Sequence, residues 1–274
     1  MWLAWDIAAV VGAILAGLTI ASINASPRWI TIGRQFTREA SLVFGLYALW
    51  QLAGRLSVSK ITNAHHRGLQ IWDVERWLPL PSELRVQHWT LPHSWLMQIC
   101  NLYYASMHAT GLIIFLIWMF VWHRDRYPIW RNTIALLTGA SLLIQLVPVA
   151  PPRMFTELGF VDAAAKFNQS VYGTVGTGIS DQLSAMPSVH VGWAVLIAWA
   201  VMTTTRSPWR WLAVAHATIT IYAVVATANH WWLDGIAEVV IMVVIVRMLR
   251  AIDSFRRSDD ADSSARRDGV VKVQ

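Results

Sequence analysis

The sequence predicts an all-α, polytopic membrane bundle of about seven transmembrane helices with one further helix lying in the interface. Three observations carry this. Of the 274 residues, 55% are hydrophobic and only 14% charged, with 17 tryptophans, a composition far from that of an average soluble domain. The apolar residues gather into seven runs, each close to the length that crosses about 30 Å of hydrocarbon. Between those runs the basic residues fall in short connectors on alternate turns of the chain, as topology signals do.

Taken in order, the first run is 3–23. Its only early charge is Asp6, so it lacks the basic leader of a cleaved signal peptide and reads as a true span. The second, 40–56, is short. The stretch 64–78 mixes Leu69, Ile71, Trp72, Val74, Trp77 and Leu78 with His65, His66, Arg67, Asp73, Glu75 and Arg76; it is too polar to span and reads as an interfacial helix. Spans three to seven are 94–122, 133–149, 186–203, 211–229 and 230–250, the last two meeting almost without a loop. Residues 1–252 thus form one membrane domain. The tail 253–274 is dense in mixed charge and cannot bury enough apolar surface to offset ordering, so disorder is expected there. A Gly- and Ser-bearing loop surrounds 173–180.

Fifteen of the 22 Lys and Arg residues fall on one side: Arg28, Arg34, Arg38, Arg124, Arg126, Arg131, Arg206, Arg210, Arg247, Arg250, Arg256, Arg257, Arg266, Arg267 and Lys272. Positive-inside counting makes that side cytoplasmic, the N-terminus external and the tail internal, which suits a multi-pass plasma-membrane protein. The loops 57–92 and 150–185 then face outward. A net charge of +6 spread over such connectors does not make a nucleic-acid surface. Cys100 is the lone cysteine, which excludes an intrachain disulfide or a thiolate metal site.

Chemistry concentrates at two points on the outer side. Pro187-Ser188-Val189-His190 opens span five, and the chain crosses, turns at Arg206 and Arg210, and climbs back to His230. Each leg is about 25 to 30 Å at 1.5 Å per helical residue, so His230 returns to the level of His190. Asp234 follows His230 by four residues and on a helix would share its face. A histidine with a carboxylate partner is a nucleophile: Asp234 fixes the tautomer of His230 and leaves the other nitrogen to attack phosphorus. His190 can then protonate the leaving oxygen and deprotonate the acceptor. Pro187 suits a first helical position, which would aim the N–H groups of 188–190 at a phosphate, and the Ser188 hydroxyl adds a donor. Arg153, after Pro151 and Pro152, supplies a guanidinium for bidentate phosphate binding.

Other polar residues have simpler readings. Asn101, Tyr104 and His108 share one face of span three, as either a headgroup-lining wall or an interhelical hydrogen-bond seam. His216 reads as a buried histidine satisfying a backbone carbonyl. His65, His66, His88, His93 and His123 read as interfacial or loop residues. Trp231 and Trp232 stand where an acyl or prenyl chain would come in, and Trp193 could help screen the site from water.

On Pro151-Pro152-Arg153, Pro187-Ser188-Val189-His190 and His230 with Asp234, the chain resembles the type 2 phosphatidic acid phosphatase (PAP2) superfamily. By motif and order the similarity covers 63–241. It is closer to the branch of inositol phosphorylceramide synthase and related inositol phosphotransferases, because the second motif is Pro-Ser-Leu-His-like rather than Pro-Ser-Gly-His and 226–229 carries no arginine upstream of His230; the first motif also lacks the usual leading lysine, which tells against a plain phosphatase. The resemblance implies a six-helix core plus one helix, with His230 as nucleophile, His190 as acid and Asp234 as orienter. It implies phosphoryl transfer from a phospholipid or lipid phosphate through a phosphohistidine, with inositol or an inositol lipid as acceptor and no metal or other cofactor. Tyr104 and His108 join Arg153 and Ser188 as candidate substrate contacts. The alternatives are a lipid or polyprenyl phosphate phosphatase of the same superfamily and, further off, a zinc hydrolase using His190, His230 and Asp234 as ligands. A transporter would show repeated or broken spans, which are not visible. Membrane lipids are the expected partners; the oligomeric state is not encoded legibly.

Overall fold

The computed structural model describes residues 4–25, 27–56, 62–169 and 182–271. The loop around 173–180 and Lys272 lie outside the described residues. Ten α-helices lie among the described residues: α1 Trp5–Ala21, α2 Arg28–Leu56, α3 Thr62–Trp77, α4 Glu83–Thr90, α5 Ser94–Trp122, α6 Tyr127–Gln145, α7 Ala163–Lys166, α8 Val189–Thr204, α9 Trp211–Ala226 and α10 Trp232–Val271. Strand structure among them is limited to an isolated bridge between Val149 and Ser184.

All seven predicted apolar runs fall on helices. Among the described residues two helical stretches, Ser94–Trp122 and Pro208–Ala226, are long and apolar enough to cross a membrane, while α1 and α8 are apolar but shorter. Large apolar side chains stay exposed along the bundle, among them Ile14 and Leu18 on α1, Ile113 and Ile117 on α5, and Val240 and Val244 on α10. Such a surface suits lipid rather than water.

Helix α2 begins at Arg28, twelve residues before the predicted second span. Two of its early charges, Arg34 and Glu39, are spent on neighbouring helices. The Arg34 guanidinium donates to the carbonyls of Ser22 (3.1 Å) and Ile23 (2.6 Å), satisfying the open end of α1. Glu39 pairs with Arg131 of α6 and accepts from the Tyr127 hydroxyl at 3.1 Å. Helix α6 likewise starts six residues early, with Pro128 in its first turn, where a missing N–H costs nothing. Arg131 therefore sits on a helix, not in a connector. At the same end Arg126 donates to the Thr203 carbonyl at 2.7 Å and closes α8.

Helix α10 continues through 253–271, where composition alone leads one to expect disorder. Extending an existing helix avoids the nucleation penalty that an isolated polar segment would face.

The core has two levels. One cluster, including Leu112, Phe115, Met119, Trp130, Leu137, Leu196 and Met242, fills the space between α5, α6, α8 and α10. Above it, Phe155, Phe160 and Trp231 interlock edge to face beneath α3. Helix α3 presents Ala64, Gly68, Ile71 and Glu75 inward at helical spacing, and Gly68 admits the closest approach: a β-carbon there would stand 2.5 Å from the Phe155 ring and 2.9 Å from the Ala150 carbonyl. Gly192 is equally constrained. Its β-carbon would lie 2.3 Å from Cγ of Glu238, a buried acid held by the Ser141 hydroxyl at 2.8 Å. Gly192→Ala should therefore lower the detergent-solubilised melting temperature, with an overpacking cost of about 1–3 kcal/mol; an unchanged melting curve would mean that α8 and α10 can part freely.

Candidate active site

Three separated segments are laced by main-chain hydrogen bonds at the end of the bundle opposite Arg126 and Arg131. Val149 donates to the Leu183 carbonyl (2.7 Å), Arg153 to that of Ala228 (2.8 Å) and Ser188 to that of Asp234 (3.0 Å). The amide of Gln145 adds a bond to the Pro187 carbonyl at 3.2 Å. Between α9 and α10 the chain reverses within 227–231. Ala228 takes the left-handed conformation there (φ 55°), which few residues with a β-carbon adopt, and frees its carbonyl for Arg153.

His230 lies in this turn and not on the helix, which begins at Trp232. Its Nδ1 lies 2.8 Å from the Ala185 carbonyl and 3.5 Å from Asp234 Oδ2. The shorter contact selects the tautomer: Nδ1 carries the proton, and Nε2 keeps the lone pair. Among the described residues this Nε2 is buried and meets no hydrogen-bond partner. Asp234 is fully buried, and its shortest contact is the Trp231 N–H at 2.7 Å, so it caps its own helix while flanking the imidazole. Sequence spacing points to this carboxylate as the partner of His230; the geometry adds a carbonyl that no side-chain pattern could reveal.

His190 occupies the first turn of α8, with its ring centroid 5.4 Å from that of His230. Tyr104 stacks on it at 4.4 Å and His108 tilts against it at 4.2 Å, and the same residues line a narrow crevice with Tyr103, Thr220, Ala223 and Val224. The α9 stretch upstream of His230 brings no cation to this crevice. Asn101 parts company with Tyr104 and His108: its amide donates to Gln169 Oε1 (2.9 Å) and the Ala163 carbonyl (3.3 Å), pinning the segment between α6 and α8. The stripe on α5 is thus a seam at its start and a wall of the site further along.

Arg153 is 4% exposed. Its Nη1 donates to Asn229 Oδ1 at 2.6 Å, Nη2 to the Gln182 carbonyl at 3.5 Å, and Nε lies 3.8 Å from Asp162. Asn229 in turn donates to the Thr227 hydroxyl at 2.8 Å, so the guanidinium is braced against the residue preceding His230. Ser188 has a structural use at the helix start. It is wholly buried, its N–H goes to Asp234, and its hydroxyl accepts the Val191 N–H at 3.4 Å as the cap of α8. Helix α8 accordingly starts at Val189, and Pro187 precedes the cap.

Further expectations are corrected. His216 meets the Tyr103 hydroxyl at 2.5 Å through Nδ1, a side-chain partner instead of a carbonyl. Trp231 is 1% exposed and donates to the Ala150 carbonyl at 3.0 Å, so it is core and not a doorway for a lipid chain. Trp232 donates to the Pro81 carbonyl at 2.7 Å, and Trp193 to the Thr138 hydroxyl at 3.1 Å. Asn229, Asp162, Glu75 and Glu83, which no motif singles out as site residues, also converge here. Among the described residues, no group of three or more His, Cys, Asp and Glu is placed to hold a metal ion.

The chain belongs to the PAP2 superfamily, whose family model matches residues 69–248. Members are phosphatases or phosphotransferases, and the helical bundle is that of a membrane protein. Comparison with curated proteins and with solved structures gives no match.

Proposed function

We propose that the protein is an integral membrane lipid phosphotransferase that works through a phosphohistidine on His230. The observation that carries this is the buried, unpartnered Nε2 of His230, beside His190 and with its Nδ1 proton anchored at Ala185. In the first half-reaction the Nε2 lone pair attacks phosphorus, the bond from phosphorus to the lipid oxygen breaks, and His190 gives its proton to that oxygen. The positive charge left on the imidazole is met by Ala185 and Asp234. In the second half, His190 takes the proton of an incoming hydroxyl, whose oxygen bonds phosphorus as the P–N bond breaks and its electron pair returns to Nε2. Asn229 braces Arg153 against the turn, and Arg153 offers guanidinium charge to the phosphoryl oxygens.

The acceptor in this reading is an alcohol, inositol or an inositol-containing lipid, with release of phosphate to water as the slower path. What supports it is the absent cation upstream of His230 and the braced, largely water-shielded turn; a positioned hydroxyl gains an effective molarity of up to about 10⁵–10⁸ M over bulk water. The seven apolar helices are read as spans of the plasma membrane. The site then faces outward, residues 1–252 form the membrane domain, and the segment beyond 252 is cytoplasmic.

Incubating the purified protein with phospholipids, lipid phosphates and prenyl phosphates, with and without inositol, and weighing the products tests the reading. Exchanged lipid that depends on inositol supports it; phosphate released at the same rate either way makes the protein a lipid phosphatase. His190→Ala should slow substrates with poor leaving groups by about 10²–10⁴-fold and aryl phosphates far less, since an acid matters least when the leaving anion is already stable. Equal losses on both would remove His190 from the acid role.

A further inference from the structure

Three consecutive amides at the start of α10 each end on a carboxylate. Trp231 N–H donates to Asp234 Oδ2 at 2.7 Å, Trp232 N–H to Glu83 Oε1 at 3.4 Å and Leu233 N–H to Glu75 Oε1 at 2.8 Å. The first acceptor belongs to the helix itself, but the other two arrive from α3 and α4. Both are buried, 1% exposed for Glu75 and 0% for Glu83. First-turn N–H groups lack intrahelical partners and form the positive end of the helix dipole, so an anion is well placed there. A neutral cap would stop fraying at far less desolvation cost than two acids.

Glu75 keeps its Oε2 buried with no hydrogen-bond partner among the described residues, which favours the neutral carboxyl there. Burial first, then the neighbouring Glu83, push the Glu75 carboxyl up to about 10. The charged groups facing the pair are Arg76, whose Nη2 lies 3.7 Å from Glu83 Oε2, and Asp234.

We propose that Glu75 and Glu83 are positioning residues, a buried carboxyl pair that clamps the Trp232 and Leu233 amides and so ties the turn bearing His230 and Asp234 to helices α3 and α4. The functional consequence rests on the reading of His230 as nucleophile; the clamp itself does not. Its test uses the full-length protein in detergent, with turnover and melting temperature followed across pH and amide exchange followed at the start of α10. Glu75→Gln keeps an oxygen for Leu233 and, like the neutral carboxyl, carries no charge, so kcat at neutral pH should stay within about threefold of wild type. Glu75→Ala and Glu83→Ala should each cut kcat at least about tenfold with KM little changed, because the clamp touches the turn and not the substrate. In both, exchange at Trp232 and Leu233 should rise at least about tenfold.

The pH dependence has a definite sign. An acid whose folded pKa is raised stabilises the native state fully below its ordinary value and loses that contribution as pH rises through about 10. Wild-type melting temperature and turnover should therefore fall on the alkaline side, and Glu75→Gln, with no proton to lose, should fall less steeply. An alkaline limb in Glu75→Gln superimposable on that of wild type overturns the proposal, as does unaltered exchange in the alanine variants. If the alanine variants do not fold, the Gln variant decides alone. Failure to find any turnover in wild type counts against the reaction and not the clamp, because exchange and melting need no substrate.

Discussion

Replacing His230 with alanine should lower turnover by about 10⁴-fold or more, the scale seen when a covalent nucleophile is removed. The ring does two separable things. Nε2 is buried with no hydrogen-bond partner among the described residues, and Nδ1 holds the Ala185 carbonyl at 2.8 Å. Alanine loses both and leaves a buried carbonyl unpaired, which costs about 1–3 kcal/mol of stability. His230→Asn separates them: its side-chain amide can still donate to Ala185 but has no nucleophilic nitrogen. Both variants should be inactive, and only the alanine variant should melt early. Activity in the asparagine variant would mean that His230 serves the fold and that the chemistry lies elsewhere.

Arg153→Lys should cut kcat/KM by about 10²-fold or more, although the charge is kept. The guanidinium holds Asn229 and Gln182 while its Nε lies near Asp162, three directions from one rigid plane. An ammonium on a flexible stem reaches one of these well, and a charge-assisted bond lost in a buried site costs about 1.5–3 kcal/mol. The loss should appear in kcat as well as KM, since Asn229 adjoins His230 in sequence. A Lys variant within twofold of wild type would show that charge alone suffices. Carbonyl bonds would then be bracing the turn without help from the fork.

How much of this was legible from residues alone differs by level. The helix positions were, because lipid exposure forces long apolar runs that need no tertiary knowledge, as in α5 and α9. The meeting of His190 with His230 was too, since two legs of equal length must return to one level. Starts of α2 and α6 were not: Arg28 to Glu39 reads as connector until Arg34 is seen closing α1 and Glu39 meeting Arg131. Nor was the acceptor for His230, because Ala185 contributes a carbonyl and any residue type would supply one. Ser188 carries a role that its motif does not display: its hydroxyl oxygen accepts the Val191 N–H and caps α8. Glu75 and Glu83 are invisible to motif reading because their partners are the main-chain amides of Trp232 and Leu233.

The most direct test of the central claim is to mix the protein with a phosphorus-labelled lipid substrate, stop the reaction in alkali within the first turnover, and map the label by mass spectrometry. The account predicts one acid-labile, alkali-stable phosphopeptide containing His230, with phosphorus on Nε2 because Nδ1 is committed to Ala185, and its absence from His230→Asn. Label on any other residue, or steady turnover with no labelled histidine at any time, contradicts it.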